Sequence, residues 1–206
     1  MKKLLTVLSA AALIFAAAGC ASTGAATKEA EETKAPAAPT DDIATTELPA
    51  GEVIELDNFE DGNYWEAIRD SWGDNDKSLT ADLSTDWGTA GENSLKCSFA
   101  AIADGEKAGF VCNAPLETDW TGAKYIVLDV YNPNSYDLNM MAVVQSGDSW
   151  TWNQTEAVPV APGKHVVTFD ISNFQNLEIV QRMVIYEAFT PVDAGAFYFD
   201  NYRIIK

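Results

Sequence analysis

The sequence has few basic residues and few of the side chains that usually bind metals or phosphates. Its 206 residues include 13 lysines and arginines against 31 aspartates and glutamates, with one histidine, three cysteines and a formal net charge of −18. So acidic a chain repels phosphate backbones, which excludes nucleic acid as a partner. The cysteine and histidine counts exclude zinc-finger arrays and Cys-rich scaffolds. There is no Gly-rich phosphate loop and no nucleophile motif, so we expect a protein that is not an enzyme.

A long hydrophobic run is also missing. The one apolar stretch, residues 4–18, is shorter than the about 20 residues that a membrane span needs. Two lysines precede it and Ala-Ala-Gly-Cys, ending at Cys20, follows it, as is typical of a secretory signal peptide. Small residues and Gly before Cys resemble the bacterial lipoprotein signal, in which that Cys is lipidated and becomes the first mature residue. The resemblance implies a signal peptide over 1–19 and lipidation of Cys20; the alternative is a plain secretory signal with a chance Cys.

Residues 20–50 are predicted to be a disordered linker that follows the lipidated Cys20. The stretch contains no aromatic residue, and its only large aliphatic residues are Ile43 and Leu48. Such a composition cannot bury enough apolar surface to offset its ordering entropy. Because several acyl chains hold a protein stably on a membrane, we expect a lipid-anchored protein of the cell envelope, on the outer membrane or cell surface, or on a periplasmic face.

Residues 51–206 have the composition of one folded β domain. All six tryptophans and all seven tyrosines lie in it. Short alternating runs recur at roughly ten-residue spacing between turn signals, which is typical of a sandwich or barrel. One weak helical period covers 177–186. The predicted strands are 53–56, 94–101, 108–113, 125–131, 138–145, 149–153, 164–171, 180–188 and 196–205.

Two cysteines of this domain have a predicted register. If Asp104-Gly105 forms a two-residue hairpin turn, Cys97 pairs with Cys112. An exported compartment is often oxidising, so a disulfide is one interpretation. The register puts the pair at a hydrogen-bonded position, where the geometry is less favourable for a disulfide. The other interpretation is therefore two small buried thiols.

Both ends of the domain carry a family resemblance. It opens with L-D-N-F-E-D-G at 56–62 and closes with F-Y-F-D-N-Y-R-I at 197–204, with S-L-K at 94–96 and P-G-K-H-V-V-T-F-D at 162–170 between them. This order resembles the galactose-binding-like jelly-roll carbohydrate-binding modules, which start with a D-F-E-x-G strand and close with a Y-x-D-N-I strand. The resemblance implies an all-β jelly-roll β-sandwich of two antiparallel sheets, preceded by the signal peptide and the disordered linker.

The same resemblance implies a structural Ca²⁺ site. In that family a Glu of the first strand and an Asp of the last meet near one edge, and carbonyls of the loop before the S-L-K strand help to bind the ion. Glu60 and Asp200 match these positions, and Asn93 or Ser94 would supply the carbonyl. Ca²⁺ takes six to eight oxygen ligands, so the chemistry is suitable. The alternative is that both acids cap turns.

A sugar site needs exposed aromatic rings beside amides, carboxylates or guanidinium groups. Trp150 and Trp152 are two residues apart and would share one face of a strand. Polar side chains on otherwise apolar strands predict a concave face that is partly wet. In the family the ligand lies across such a face. The alternative is that the Trp pair belongs to the core. We expect the other four tryptophans to cover the edges of the sandwich or to lie in its core. The remaining candidate ligand residues are Asp129, Tyr131, Asn139, Gln145, Arg182 and Tyr186.

These observations predict a membrane-anchored, non-catalytic lipoprotein that binds poly- or oligosaccharide by aromatic stacking and hydrogen bonds. The first alternative is a structural lipoprotein that docks other envelope proteins. A jelly-roll glycoside hydrolase or lyase is less favoured. Glycoside hydrolysis needs two carboxylates about 5 to 10 Å apart across a cleft, of which Asp129 and Glu187 are an example.

Overall fold

The computed structural model describes residues 47–68 and 79–206. The predicted signal peptide, Cys20 and the linker as far as residue 46 lie outside the described residues. Within the two described ranges, no helix is long and apolar enough to cross a membrane. The elements there are β1 (Val53–Asp57), β2 (Trp65–Ala67), β3 (Thr80–Ser84), β4 (Ser94–Phe99), β5 (Lys107–Cys112), β6 (Tyr125–Asn132), β7 (Leu138–Ser146), β8 (Thr151–Gln154), β9 (Val158–Val160), β10 (Gly163–Asp170), β11 (Val180–Ala188) and β12 (Gly195–Ile205).

These strands form two six-stranded antiparallel sheets. Sheet A has the order β10-β6-β12-β4-β3, and β1 also pairs with β12; sheet B has the order β2-β5-β11-β7-β8, and β9 also pairs with β7. Neighbouring strands are mostly distant in the chain, as β6 and β12 are, because the chain crosses repeatedly between the sheets. The predicted all-β jelly-roll sandwich is confirmed.

The main core lies between the two sheets because the strands alternate. Leu128 and Val130 of β6 in sheet A and Met140 of β7 in sheet B belong to one buried cluster. Phe197 of β12 joins the sheets, since its ring meets Phe110 of β5 edge-on with centroids 5.4 Å apart. Burial of each such ring stabilises the fold by roughly 2 to 3 kcal/mol.

Sheet B also carries an apolar cluster on the opposite side from this core. Residues of opposite parity on β5, β7 and β11 form it, so the middle of the sheet is apolar on both faces. We call this side the outer face of sheet B. The cluster consists of Ile68, Val111, Met141, Val143, Val184, Tyr186 and Ala188.

The hairpin predicted at Asp104-Gly105 is wrong. β4 pairs with β3 and β12 in sheet A, whereas β5 pairs with β2 and β11 in sheet B, so the turn passes from one sheet to the other. Cys97 and Cys112 therefore lie in different sheets, and both are free, buried thiols rather than a disulfide. Burial raises the pKa of each thiol, which keeps both protonated and inert.

The tryptophans outside the candidate pair agree with a structural role. Trp65, Trp87 and Trp120 are buried, as expected. Trp72 lies outside the described residues. The prediction of a core or edge position is thus confirmed for the three that the structure describes.

Candidate functional site

The outer face of sheet B brings three predicted ligand residues into one row. Arg182 of β11 lies opposite Gln145 of β7, and Gln145 lies opposite Trp152 of β8. Residues paired across antiparallel strands point to the same face of a sheet. Arg182 Nη1 donates a hydrogen bond of 3.2 Å to Gln145 Oε1. The row therefore combines a guanidinium, an amide and an indole.

Tyr186 forms part of the floor of this face. It lies between Gly109 of β5 and Met141 of β7 and is only 2% exposed. A Cβ at Gly109 would come within 2.5 Å of Tyr186 Cε1, so the sheet needs glycine there to make room for the ring. The predicted ligand residue Tyr186 thus supports the face more than it presents a ring to solvent.

Trp150 and Trp152 are the exposed aromatic residues of the site, with 45% and 41% of their surfaces accessible. Only Trp152 is in a strand; Trp150 ends the turn before β8 with φ at 55°, so strand alternation does not place it. It reaches the site because the Arg182 Cζ lies 5.6 Å from its ring centroid.

Lys107 is a site residue that sequence reasoning missed. Its ammonium lies 4.5 Å from the Tyr186 ring centroid and 6.0 Å from that of Trp152. Cations near aromatic faces are attracted by the ring quadrupole, here by about 0.5 to 2 kcal/mol. Lys107 begins β5. Only the strand order shows that β5 and β8 belong to the same sheet, so that Lys107 and Trp152 lie on one face.

Asn139 lies at the margin of the face. Its side-chain amide donates to Ala188 O and Thr190 Oγ1, both at 3.2 Å, and so ties the start of β7 to the end of β11. This amide is largely used within the protein.

The expectation that Asp129 and Tyr131 share this face needs correction. Both belong to β6, which is in sheet A, and their parity is opposite to that of the core residues. Asp129 Oδ1 accepts a hydrogen bond of 2.9 Å from Arg203 in a buried ion pair. The Tyr131 ring stacks on Tyr198 at 5.6 Å. On β6, period-two alternation identified a shared face but not which sheet carries it.

Glu187 shares the inward-facing row of β11. Burial raises its pKa from 4.5 to about 7, although the Asn139 backbone amide donates to Oε2 at 2.6 Å and lowers it in part. The other oxygen, Oε1, has no hydrogen-bond partner among the residues that the structure describes. Asp129 on the outer side of sheet A and Glu187 on the inner side of sheet B do not flank one cleft, so this example of a hydrolytic pair is wrong.

The residues predicted to bind calcium meet at the loop of residues 87–93. Glu60 Oε1 accepts from the Asn93 backbone amide at 2.7 Å, and Asp200 Oδ2 accepts from the amides of Thr89 and Ala90 at 2.5 and 2.8 Å. Both carboxylates therefore hold the same loop.

Oxygen atoms also converge beside Gly88 of this loop. A Cβ there would lie 3.1 Å from both Gly91 O and Asn93 O. Carbonyl and carboxylate oxygens are the ligands that Ca²⁺ takes, but both carboxylates here already accept hydrogen bonds from amides of the loop, as the turn-capping alternative predicts. The Asn93 carbonyl is one of the two oxygens beside Gly88, so Asn93 fits the carbonyl role better than Ser94, whose hydroxyl donates to Trp87 O at 2.5 Å. The described ranges hold no cluster of three or more His, Cys, Asp or Glu side chains that suits a metal.

The two crossed-over antiparallel sheets and the core between them define a jelly-roll β-sandwich. The family model described as a mannanase, galactose-binding domain-like domain matches residues 58–201. The chain belongs to this family. A comparison with curated proteins yields no match.

Solved structures of the same fold include carbohydrate-binding modules. A family 11 module from Clostridium thermocellum, in complex with a beta-1,3-1,4-mixed-linked tetrasaccharide, has a TM-score of 0.56 at 14% identity over 76% of this chain and 97% of that one. CBM27-1 of Caldicellulosiruptor saccharolyticus, in complex with mannohexaose, has a TM-score of 0.50 at 18% identity over 76% of this chain and 98% of that one. These likenesses establish the fold.

Proposed function

We propose that the protein binds a poly- or oligosaccharide across the outer face of sheet B, without chemical conversion. One observation carries this proposal: the exposed Trp152 lies in register with the hydrogen-bonded Gln145 and Arg182 pair. Sugar rings present flat C–H faces to indoles, and their hydroxyls need amide and guanidinium partners. A pre-formed sheet surface holds these groups in place before the ligand arrives, which limits the entropy cost of binding.

The relatives support the same ligand class. Two modules of this fold were solved with bound oligosaccharides, one a mixed-linked tetrasaccharide and the other mannohexaose. Binding without catalysis accords with the positions of Asp129, held in an ion pair, and Glu187, turned to the core. Neither carboxylate lies on the proposed face.

Affinity electrophoresis through soluble mannan, mixed-linked glucan, xylan and bacterial wall glycans tests the proposal. We expect at least one glycan to retard the purified protein and Trp152→Ala to abolish that retardation with its melting temperature unchanged. Tyr64→Ala is the matched control, since Tyr64 is 43% exposed and lines a different cavity, beside β1. Retardation by no glycan, or equal retardation of Trp152→Ala, contradicts the proposal, and the former favours protein docking.

We propose further that the protein is a lipoprotein of the cell envelope, anchored through Cys20. The support is the charged start, the short apolar stretch and the Gly-Cys junction of the sequence. Cys20→Ser is expected to move the protein from the membrane fraction to the soluble fraction. Unchanged membrane association would contradict the anchor.

Calcium is proposed as a structural ion held by Glu60, Asp200 and backbone carbonyls of the 87–93 loop. It would supply positive charge to two carboxylates that tie the chain ends to this loop. Chelator is expected to lower the melting temperature of the wild type and to leave that of Glu60→Gln almost unchanged. An equal response of the two proteins would contradict this site.

A further inference from the structure

A groove of about 620 Å³ runs along one edge of the sandwich. One wall comes from β8 and the residues that follow it, and the other comes from β10 and the turn after it. β8 is an edge strand of sheet B and β10 is an edge strand of sheet A. The groove therefore lies where open edges of the two sheets approach each other.

An indole borders both this groove and the outer face of sheet B. Trp152 shares its face with Gln145 and also lines the groove. Its Nε1 donates to Gln154 Oε1 at 3.2 Å, so the ring is held along β8. The half-buried Phe174 adds a second apolar surface inside the groove. A chain that crosses sheet B reaches the groove by passing Trp152.

Polar side chains of the groove remain available to a ligand. Glu156 and Asn173 make no side-chain hydrogen bond within the part of the chain that the structure describes. Asp170 Oδ1 accepts hydrogen bonds from the amide and hydroxyl of Ser172, and its second oxygen accepts none from the described residues. Carboxylates and an amide beside aromatic rings are suitable partners for sugar hydroxyls, which donate and accept.

The charge of the groove selects a neutral ligand. Glu156 and Asp170 both line the groove, and none of the described residues that line it is a lysine or arginine. An anionic sugar would be repelled, whereas neutral hydroxyls form charge-assisted hydrogen bonds with these carboxylates. The outer face of sheet B differs, because Arg182 and Lys107 lie there.

From this arrangement we infer that the edge groove is a second subsite for neutral sugar residues. It extends the outer face of sheet B around the edge at Trp152, so that longer oligosaccharides occupy both. The inference rests on the proposed function, since it concerns the same glycan chain. It predicts that affinity rises with chain length beyond what the sheet face alone can hold.

Calorimetric titration of the purified full-length protein tests this subsite. The probes are tri- and hexasaccharides of β-mannan, mixed-linked β-glucan and xylan, and the series bound by the wild type is used. Glu156→Gln/Asn173→Ala is expected to weaken hexasaccharide binding at least fivefold and to leave trisaccharide binding unchanged. Glu52→Gln, an exposed change outside the groove, is the charge control.

Each failure of this experiment has a separate reading. If the double variant binds the hexasaccharide like the wild type, or loses both lengths equally, the groove is not an extension of the site. If neither length of any series binds while the protein is folded, the subsite for these neutral chains is contradicted, and the proposed function fails with it only if electrophoresis also shows retardation by no glycan. Trp152→Ala, which touches both surfaces, is expected to weaken both lengths.

Discussion

At the residue scale, the tryptophans differ in solvent exposure, a difference that the sequence alone does not show. Trp120 is fully buried, while Trp150 and Trp152 each leave more than two fifths of their surface accessible. Trp150 and Trp152 could be nominated from their spacing and the polar residues near them. The exposure of Trp152 depends on the register of β8 with β7, and that of Trp150 on the turn before β8; the sequence reveals neither.

The Asp129–Arg203 pair is expected to stabilise the fold without contributing to glycan binding. Asp129→Ala leaves the Arg203 guanidinium buried and uncompensated, which costs about 3 kcal/mol or more. Urea unfolding measures this loss, and Asp129→Ala/Arg203→Met should be less destabilised than the sum of the single changes. A strictly additive pair, or a loss of glycan retardation by folded Asp129→Ala, would contradict this assignment.

Glu187 gives the protein a pH dependence of known sign. Its native pKa is raised to about 7 from 4.5, so the folded state binds more protons than the unfolded state between these values. The free energy of unfolding should therefore fall by up to about 3 kcal/mol as the pH rises from 4.5 to 7. Burial raises the pKa of Asp57 as well and adds to this slope at its lower end.

Glu187→Gln is the matched variant for that slope. It keeps an oxygen for the Asn139 amide and removes the ionisable group. Denaturant unfolding between pH 4.5 and 8 should show a flatter profile for this variant than for the wild type. Equal slopes in the two proteins would show that another group is responsible.

At the element scale, nine strands could be predicted because short runs rich in apolar residues recur between turn signals. β2 and β9 have three residues each, too few for a period to be visible, and β3 is exposed at three of its five positions. The helical period at 177–186 is wrong, because β11 is buried on both faces and its apolar residues run together.

Sheet membership was the larger gap in the sequence interpretation. The turn at Asp104-Gly105 was recognisable. The same turn residues, however, can join two strands of one sheet or two strands of different sheets. For that reason neither the cysteine register nor the placement of Asp129 followed from local pattern. The Glu60 and Asp200 positions came from family resemblance, and both carboxylates do meet one loop.

Gly109 links the packing of β5 to the proposed face. Gly109→Ala puts a methyl group within 2.5 Å of the Tyr186 ring, which must move. We expect destabilisation of roughly 1 to 3 kcal/mol in denaturant unfolding, together with weaker glycan retardation. Adding Tyr186→Leu should recover part of the stability. No recovery would mean that the strain lies elsewhere in the sheet.

At the scale of the whole molecule, charge is distributed unevenly. The chain carries a net charge of −18, yet two of its few cations, Arg182 and Lys107, lie beside the aromatic rings of one face. The opposite sheet uses its polar residues differently, since Asp129, Asp200 and Arg203 are buried there. The two sheets therefore differ in role: in sheet A the first strand pairs with the last, and sheet B carries the exposed aromatic face.

The most direct test of the central claim is backbone amide chemical-shift mapping during titration with an oligosaccharide of a retarding glycan. The account predicts that shifts cluster on β7, β8 and β11, with the Trp152 indole among the largest. Asn173 and Phe174 should join them only with the longer oligosaccharides. Shifts confined to sheet A, or none at saturating oligosaccharide, would contradict the claim that the outer face of sheet B binds glycan.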